Sequence, residues 1–241
     1  MDFPATTIVT IILVAVSLGI WTSVSAAISA QQKSVGVGVF FGLSVWFVIA
    51  VAMSHSNYLF RGDTPIYILI IPLSIAILVS VGLLSFPSFR KLIAETSQIA
   101  LIAPHMLRIV GFSFLILGEL NYLPKEFTIP AGYGDIISGV LVLPVIYLIL
   151  KQGQWVRSAI VTWNIIGIAD FVGAFIAGPR FIPTHLSTFA QPYALNYFTV
   201  IPIFVVPLFV VTHIYSIYKV VTEQNAFVHQ EKQNSIQPIH L

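Results

Sequence analysis

Long apolar segments dominate the hydrophobic pattern of this chain, and short polar stretches separate them. A helix needs about 20 residues to cross a hydrocarbon core of about 30 Å. Seven segments meet that length or come close to it: residues 5–27, 35–53, 65–86, 105–120, 132–150, 155–177 and 197–218. Runs such as residues 68–84 do not alternate between apolar and polar positions, as the strands of a membrane barrel do. The pattern therefore predicts an all-α fold, a polytopic bundle of seven transmembrane helices.

Polar positions outside the seven segments predict two further features. Residues 87–104 mix apolar side chains with Arg90 and Lys91, a pattern typical of a short helix that lies in the membrane interface. After the last segment the chain becomes polar. We therefore expect one transmembrane domain over residues 1–221 and a disordered polar tail over residues 222–241.

Composition supports a membrane environment. Hydrophobic residues make up 57% of the 241 residues and charged residues 8%, and a soluble fold could not hide that much apolar surface. The lipid bilayer is therefore the first partner that we expect, and a net charge of +2 gives no indication of a nucleic acid partner. The first segment follows Asp2 without a basic residue and is longer than a signal-peptide core, so we interpret it as a span. The chain has no cysteine, which excludes disulfides and thiolate metal sites.

The basic residues predict an orientation, because cytoplasmic loops are enriched in Lys and Arg. The face shared with the N-terminus carries Arg61, Lys125 and Arg180. The opposite face carries a larger basic set: Lys33, Arg90, Lys91, Lys151, Arg157, Lys219 and Lys232. We therefore expect the N-terminus outside the cell and the C-terminus in the cytoplasm.

Three carboxylates lie inside the last four segments, whereas the first three segments contain no charged residue. On the predicted topology Glu119 lies near the outer end of the fourth span and Asp135 lies about one turn into the fifth. Asp170 lies about 10 Å below the outer boundary of the sixth, on a stripe with Asn164 and Gly167. Ionised side chains at this depth usually face a polar cavity.

The carboxylates and the amide therefore predict an outward-facing cavity lined by Glu119, Asp135, Asn164 and Asp170. Such a cavity would bind or translocate a small cation, a proton or a polar ligand. An interhelical hydrogen-bonded clamp is the alternative interpretation of the same residues. In either case, the first three helices would form a packing wall.

A second hypothesis is a membrane-embedded hydrolase. The segment Gly132-Tyr133-Gly134-Asp135 resembles the Gly-x-Gly-Asp motif of intramembrane aspartyl proteases, which implies a second aspartate that shares a proton with the first. Those families carry that aspartate on an earlier helix, whereas here Asp170 follows. A metal-dependent hydrolase is a further alternative, in which two loop histidines would join the aspartates. These loop histidines are His55 and His185.

A separate polar group lies toward the predicted cytoplasmic side. His105 and Arg108 open the fourth span one helical turn apart, and His213 lies in the inner third of the last span. Two histidines on facing helices could bind a haem iron, with the arginine pairing a propionate. A structural or proton-relay role is the other interpretation. The sequence therefore leaves the cofactor open.

The second half of the chain also resembles a pattern found in small uncharacterised bacterial integral membrane proteins. The residues that carry the resemblance are Arg108, Gly111, Gly118, Leu123-Pro124, Phe127 and Pro130-Ala131-Gly132-Tyr133-Gly134-Asp135. A looser similarity continues through Trp163-Asn164, Gly167, Asp170 and residues 207–213. The resemblance implies a multi-pass protein of the cell inner membrane, and it implies no activity.

Overall fold

The computed structural model describes residues 33–55, 70–152, 154–188 and 199–236, and these residues form helices and no strand. We name them α1 (Lys33–His55), α2 (Ile70–Leu83), α3 (Pro87–Glu95), α4 (Gln98–Glu119), α5 (Lys125–Lys151), α6 (Val156–Thr188) and α7 (Ile201–Val205 with Val206–Ile236). The predicted all-helical fold is confirmed over these residues. The first predicted span, residues 5–27, lies outside them.

Four of the described helices are long and apolar enough to cross a membrane. They are Gln98–Glu119, Lys125–Lys151, Val156–Gly178 and Ile201–Glu223. Helices α2 and α3 together would count as a fifth span, but a bend of 98° separates them. Helix α1 contains a shorter apolar stretch, Phe40–Ser54. This set of helices is typical of a membrane protein, with four or five spans among the described residues.

Helix α3 occupies the first half of the predicted interface segment. It begins at Pro87, which suits a first helical position because proline has no N–H to leave unpaired there. Its apolar side chains Phe89, Leu92 and Ile93 are buried, and Arg90 is exposed. The helix is therefore amphipathic, as the sequence predicts.

The fourth span begins earlier than predicted. The Oγ atom of Ser97 accepts a hydrogen bond from the backbone N–H of Ala100 at 3.1 Å and so caps a new helix at Gln98. Residues 98–104 therefore belong to α4 and not to the interface helix.

Helix α5 also begins earlier than predicted, after the extended residue Pro124. Because the helix starts at Lys125, Asp135 lies about three turns inside it and not one turn. At the other end of the chain, α7 continues as a helix to Ile236, beyond Thr222, where we expected the disordered tail to begin.

Two spans depart from α-helical geometry. Helix α4 contains a 3-10 segment, Ala103–Gly111, and α7 begins with a π-helical turn, Ile201–Val205. In α7, Pro207 has no N–H to donate to the carbonyl oxygen of Ile203, four residues earlier. The indole Nε1 of Trp46 on α1 donates to that oxygen at 3.1 Å. This hydrogen bond ties α1 to α7.

Candidate functional site

One arginine joins two carboxylates from different spans. Arg108, in the 3-10 segment of α4, donates from Nε to Oδ1 of Asp135 on α5 at 2.8 Å. It also donates from Nη2 to Oδ2 of Asp170 on α6. The arginine side chain is 1% exposed, that of Asp135 18% and that of Asp170 10%. All three residues lie well inside their spans, so these ion pairs are far from the polar helix ends.

Glycines let the helices that carry these charges approach one another. A Cβ atom added at Gly134 of α5 would lie 1.6 Å from Oδ1 of Asp170. A Cβ atom added at Gly167 of α6 would lie 2.5 Å from the ring of His213. Any larger residue would therefore force a charged or aromatic side chain to move. Small residues are the usual means by which membrane helices reach such close contact.

His213 of α7 holds the guanidinium from another side. Its Nε2 lies 3.4 Å from Nη1 of Arg108, and its Nδ1 lies 2.7 Å from Oδ1 of Asn164. The Nδ2 of Asn164 donates to the carbonyl oxygen of Ile160 at 2.8 Å, so the amide oxygen is the end that faces the histidine. An amide oxygen only accepts hydrogen bonds, so Nδ1 of His213 carries a hydrogen and Nε2 accepts from Arg108. The ring therefore occupies the site in its neutral form.

The network continues from His213 toward the start of α4. Asn164 also donates to Oγ of Ser216 at 2.9 Å, and Nε2 of Gln98 donates to the same oxygen at 2.6 Å. Sequence reasoning missed Ser216 and Gln98. Ser216 was detectable, because it lies three residues after His213 and so shares its helix face. Gln98 gave no such signal, because its helix was expected to start later.

His105 packs directly against His213, with ring centroids 4.2 Å apart. Its Nε2 lies 2.8 Å from Oγ1 of Thr212, and its Nδ1 has no hydrogen-bond partner among the described residues. A haem held axially between the two histidines would need space between their rings, and this contact leaves none. Both nitrogens of His213 are also in use. The geometry therefore gives the haem alternative no support.

Glu119 lies apart from the network, contrary to expectation. Its Oε1 accepts a hydrogen bond from Nζ of Lys125 at 2.9 Å at the turn between α4 and α5, and its side chain is 72% exposed. Arg108, expected in a separate inner group, instead binds both aspartates. The two predicted groups are one network because α5 starts earlier and places Asp135 deeper than its sequence position indicated.

The part of the chain that the structure describes contains no cluster of three or more His, Asp or Glu residues that could hold a metal ion. The side chains of His55 and His185, the histidines of the metal alternative, lie outside the described set. One oxygen of each aspartate also accepts a hydrogen bond from Arg108, whereas the two aspartates of an aspartyl protease share a proton directly.

A small cavity of about 60 Å³ lies beside the ion pairs. Arg108, Asp135 and Ser113 provide its polar lining, and residues of the π-helical turn of α7 contribute to its apolar lining. The hydroxyl of Ser113 is buried and has no partner among the described residues. Phe171 also lines the cavity, and its ring centroid is 4.0 Å from Cζ of Arg108. A cavity needs about 10–15 Å³ of such volume to hold a water molecule, so this space can hold water.

These features define a class of protein: an α-helical, multi-spanning membrane protein with a buried arginine that bridges two aspartates. The chain belongs to the family described as Domain of unknown function (DUF8737), whose model matches residues 65–221. The matched stretch contains the whole network from Gln98 to Ser216. No curated protein and no solved structure matches this chain.

Proposed function

We propose that this protein binds a proton at the Arg108–Asp135–Asp170 network and passes it through the membrane. The observation that carries the proposal is that one guanidinium serves two carboxylates, each from a different span. Acidic residues inside membrane spans commonly form the proton relays of pumps and transporters. The rest of the argument rests on the charge of the site and on the space beside it.

The charge count leaves a deficit of one positive charge. Two ionised aspartates against one arginine would leave a net charge of −1 in a region where the arginine is 1% exposed. His213 does not correct the deficit, because its hydrogen bonds require the neutral ring. An unbalanced buried charge is costly. A proton bound to one of the two carboxylates removes this cost, and its release requires that another positive charge or water reach the site.

The cavity beside Asp135 favours a proton over a larger polar ligand. A volume of about 60 Å³ can hold water and lies well below the range of about 300–1,000 Å³ that is usual for small-molecule sites. Water there would bridge the orphan hydroxyl of Ser113 to the carboxylate. On the other side, the side chains from His213 to Gln98 lead from the ion pairs toward the predicted cytoplasmic end of α4.

We also propose seven spans in the cell inner membrane, with the N-terminus outside. The four long spans, α1, α2 and the predicted segment of residues 5–27 together make seven. The basic residues favour this orientation by seven to three. A reporter fused to the C-terminus that works only in the cytoplasm should be active. Activity of a periplasmic reporter at the same position would overturn the orientation.

Infrared spectroscopy of the purified full chain tests the proton site directly, because a protonated carboxyl absorbs apart from a carboxylate. At neutral pH the wild-type protein should contain one protonated buried carboxyl. Asp135→Asn and Asp170→Asn should each abolish that absorption, because the remaining aspartate then pairs one to one with Arg108. Both variants should still fold, since the charge of the site is balanced in each.

Glu119→Gln is the matched control, because it removes a carboxyl that is 72% exposed and paired with Lys125. This variant should keep the wild-type absorption. In vesicles that contain a pH-sensitive dye, the control should also carry protons at the wild-type rate, and both aspartate variants should lose at least tenfold. A wild-type protein without a protonated carboxyl, or single variants that retain it, would refute the proposal.

A further inference from the structure

A second, larger cavity of about 650 Å³ lies between α1, α2, α3 and α7. Its walls are mostly apolar and include Leu43, Val79, Leu92, Phe204 and Val211. The volume falls within the range of about 300–1,000 Å³ that is usual for small-molecule sites. None of the charged residues of the Arg108 network lines it. We call this space the apolar groove.

The interface helix α3 forms one wall of the groove and carries two basic residues outside it, which we call the basic rim. Its buried face, with Phe89 and Leu92, lines the groove, while Arg90 and Lys91 on the same helix are exposed. Because α3 turns by 98° from α2, it lies along the membrane surface when α2 crosses the membrane. Its two cations then lie at the depth of the lipid head groups, on the same helix as the apolar wall of the groove.

The cations are placed to receive an anion. Nη1 of Arg90 donates to the carbonyl oxygen of Leu84 at 3.3 Å, which holds the guanidinium at the turn between α2 and α3. Lys91 lies 3.6 Å from Glu95, and its side chain is 63% exposed. With one acidic and two basic residues, α3 carries a net charge of +1. Basic residues at head-group depth attract anionic lipids.

We infer that the groove binds an acyl chain of an anionic phospholipid, whose phosphate lies against Arg90 and Lys91. The apolar walls match the chain, and the basic rim matches the head group. This site is independent of the proton site, so either inference can fail without the other.

Two glycines on the groove wall make the inference testable. Gly38 and Gly42 of α1 line the groove, and a Cβ atom added at either would meet nothing within 4 Å. A leucine at position 42 would therefore extend into the groove without a clash at its base. Gly173 of α6 is equally open but does not line the groove. Gly173→Leu is thus a matched control for Gly42→Leu.

Native mass spectrometry of the full chain in mild detergent can count bound lipids while phosphatidylglycerol, phosphatidylcholine or palmitate is added. We expect the wild type and Gly173→Leu to bind one phosphatidylglycerol with the same affinity. Gly42→Leu should lose at least tenfold in affinity. Arg90→Gln should weaken phosphatidylglycerol binding about fivefold, as expected for one basic residue near a membrane surface, and leave phosphatidylcholine binding unchanged.

Several results would overturn the inference. Equal binding of phosphatidylcholine would remove the role of the basic rim, and retention of palmitate alone would identify a free fatty acid as the occupant. Undiminished binding to Gly42→Leu would place the lipid elsewhere. The chain has no cysteine, so a disulfide-linked dimer of Gly42→Cys would instead identify a second copy as the occupant. A cross-link from position 42 to a second cysteine within residues 5–27 would identify the chain's own first segment.

Discussion

Glycine serves opposite purposes in the two halves of this bundle. In α4, α5 and α6, a Cβ atom added at any of six glycines would lie within 3.0 Å of another residue: Gly111, Gly118, Gly132, Gly134, Gly139 and Gly167. In α1 and α2, a Cβ atom added at any of three glycines would meet nothing within 4 Å: Gly38, Gly42 and Gly82. Close packing surrounds the ion pairs, and open space surrounds the groove.

The difference follows from what each half has to bury. Ion pairs in a medium of low dielectric need short distances and complete hydrogen bonding, so the helices that carry them must nearly touch. Apolar side chains in α1 to α3 have no such requirement, because lipid solvates them as well as another helix does. Substitutions in the polar half should therefore change the free energy of unfolding strongly, and substitutions in the apolar half should change it weakly.

Arg108→Gln should have the largest effect on stability. It leaves Asp135 and Asp170 buried without a counter-charge, and removal of one partner from a buried pair typically costs about 3–5 kcal/mol. The free energy of unfolding in mixed detergent micelles measures this loss. Arg90→Gln, on the exposed face of α3, is the control and should lie within about 0.5 kcal/mol of the wild type. Similar values for the two variants would mean that the network does not stabilise the bundle.

Gly134→Ala and Gly42→Ala compare the two halves with the same chemical change. At position 134 the new methyl group would lie 1.6 Å from Oδ1 of Asp170, so the carboxylate must move and the fold should lose about 1–3 kcal/mol. At position 42 the methyl group meets open space, and the better helix propensity of alanine should leave stability unchanged or raise it by up to about 1 kcal/mol. Equal changes in the unfolding free energy would contradict this division of the bundle.

The sequence predicted which residues are chemically unusual better than it predicted where they lie. Apolar length alone identified the four long helices α4 to α7, because a chain in lipid must satisfy its backbone hydrogen bonds within each segment and so has few alternatives to a helix. Asn164, Gly167 and Asp170 share the helix face that their spacing indicates, since spacing within one helix is a local property. The location of a helix and the face on which each residue lies both depend only on the sequence of that segment.

Contacts between helices were harder to predict, because they depend on where each helix begins. A shift of seven residues at the start of α5 moved Asp135 from the predicted outer end into the reach of Arg108. The 3-10 segment of α4 also has a longer rise per residue than an α-helix, which changes both the depth and the direction of its side chains. Neither the earlier start of α5 nor the 3-10 segment of α4 can be predicted from the hydrophobic pattern.

Trp46→Phe tests the hydrogen bond that joins the apolar half to α7. The indole donates to the carbonyl oxygen of Ile203, to which Pro207 has no N–H to donate. Loss of this single bond should cost about 0.5–1.5 kcal/mol, because the phenyl ring keeps most of the packing against Phe204. Trp155→Phe is the control, since Trp155 is 65% exposed. An unchanged unfolding free energy for Trp46→Phe would mean that another group satisfies the carbonyl.

Glu119→Gln should have the smallest effect, and that is what makes it informative. The pair between Glu119 and Lys125 is solvent-exposed on both sides, and such pairs contribute about 0–1 kcal/mol. We expect a change of at most about 0.5 kcal/mol in the unfolding free energy, reduced further by salt. Lys125→Gln should match it, because each variant removes the same weak interaction. A loss as large as that of Arg108→Gln would place Glu119 in the buried network after all, and the charge count on which the proton site rests would then have three acids in place of two.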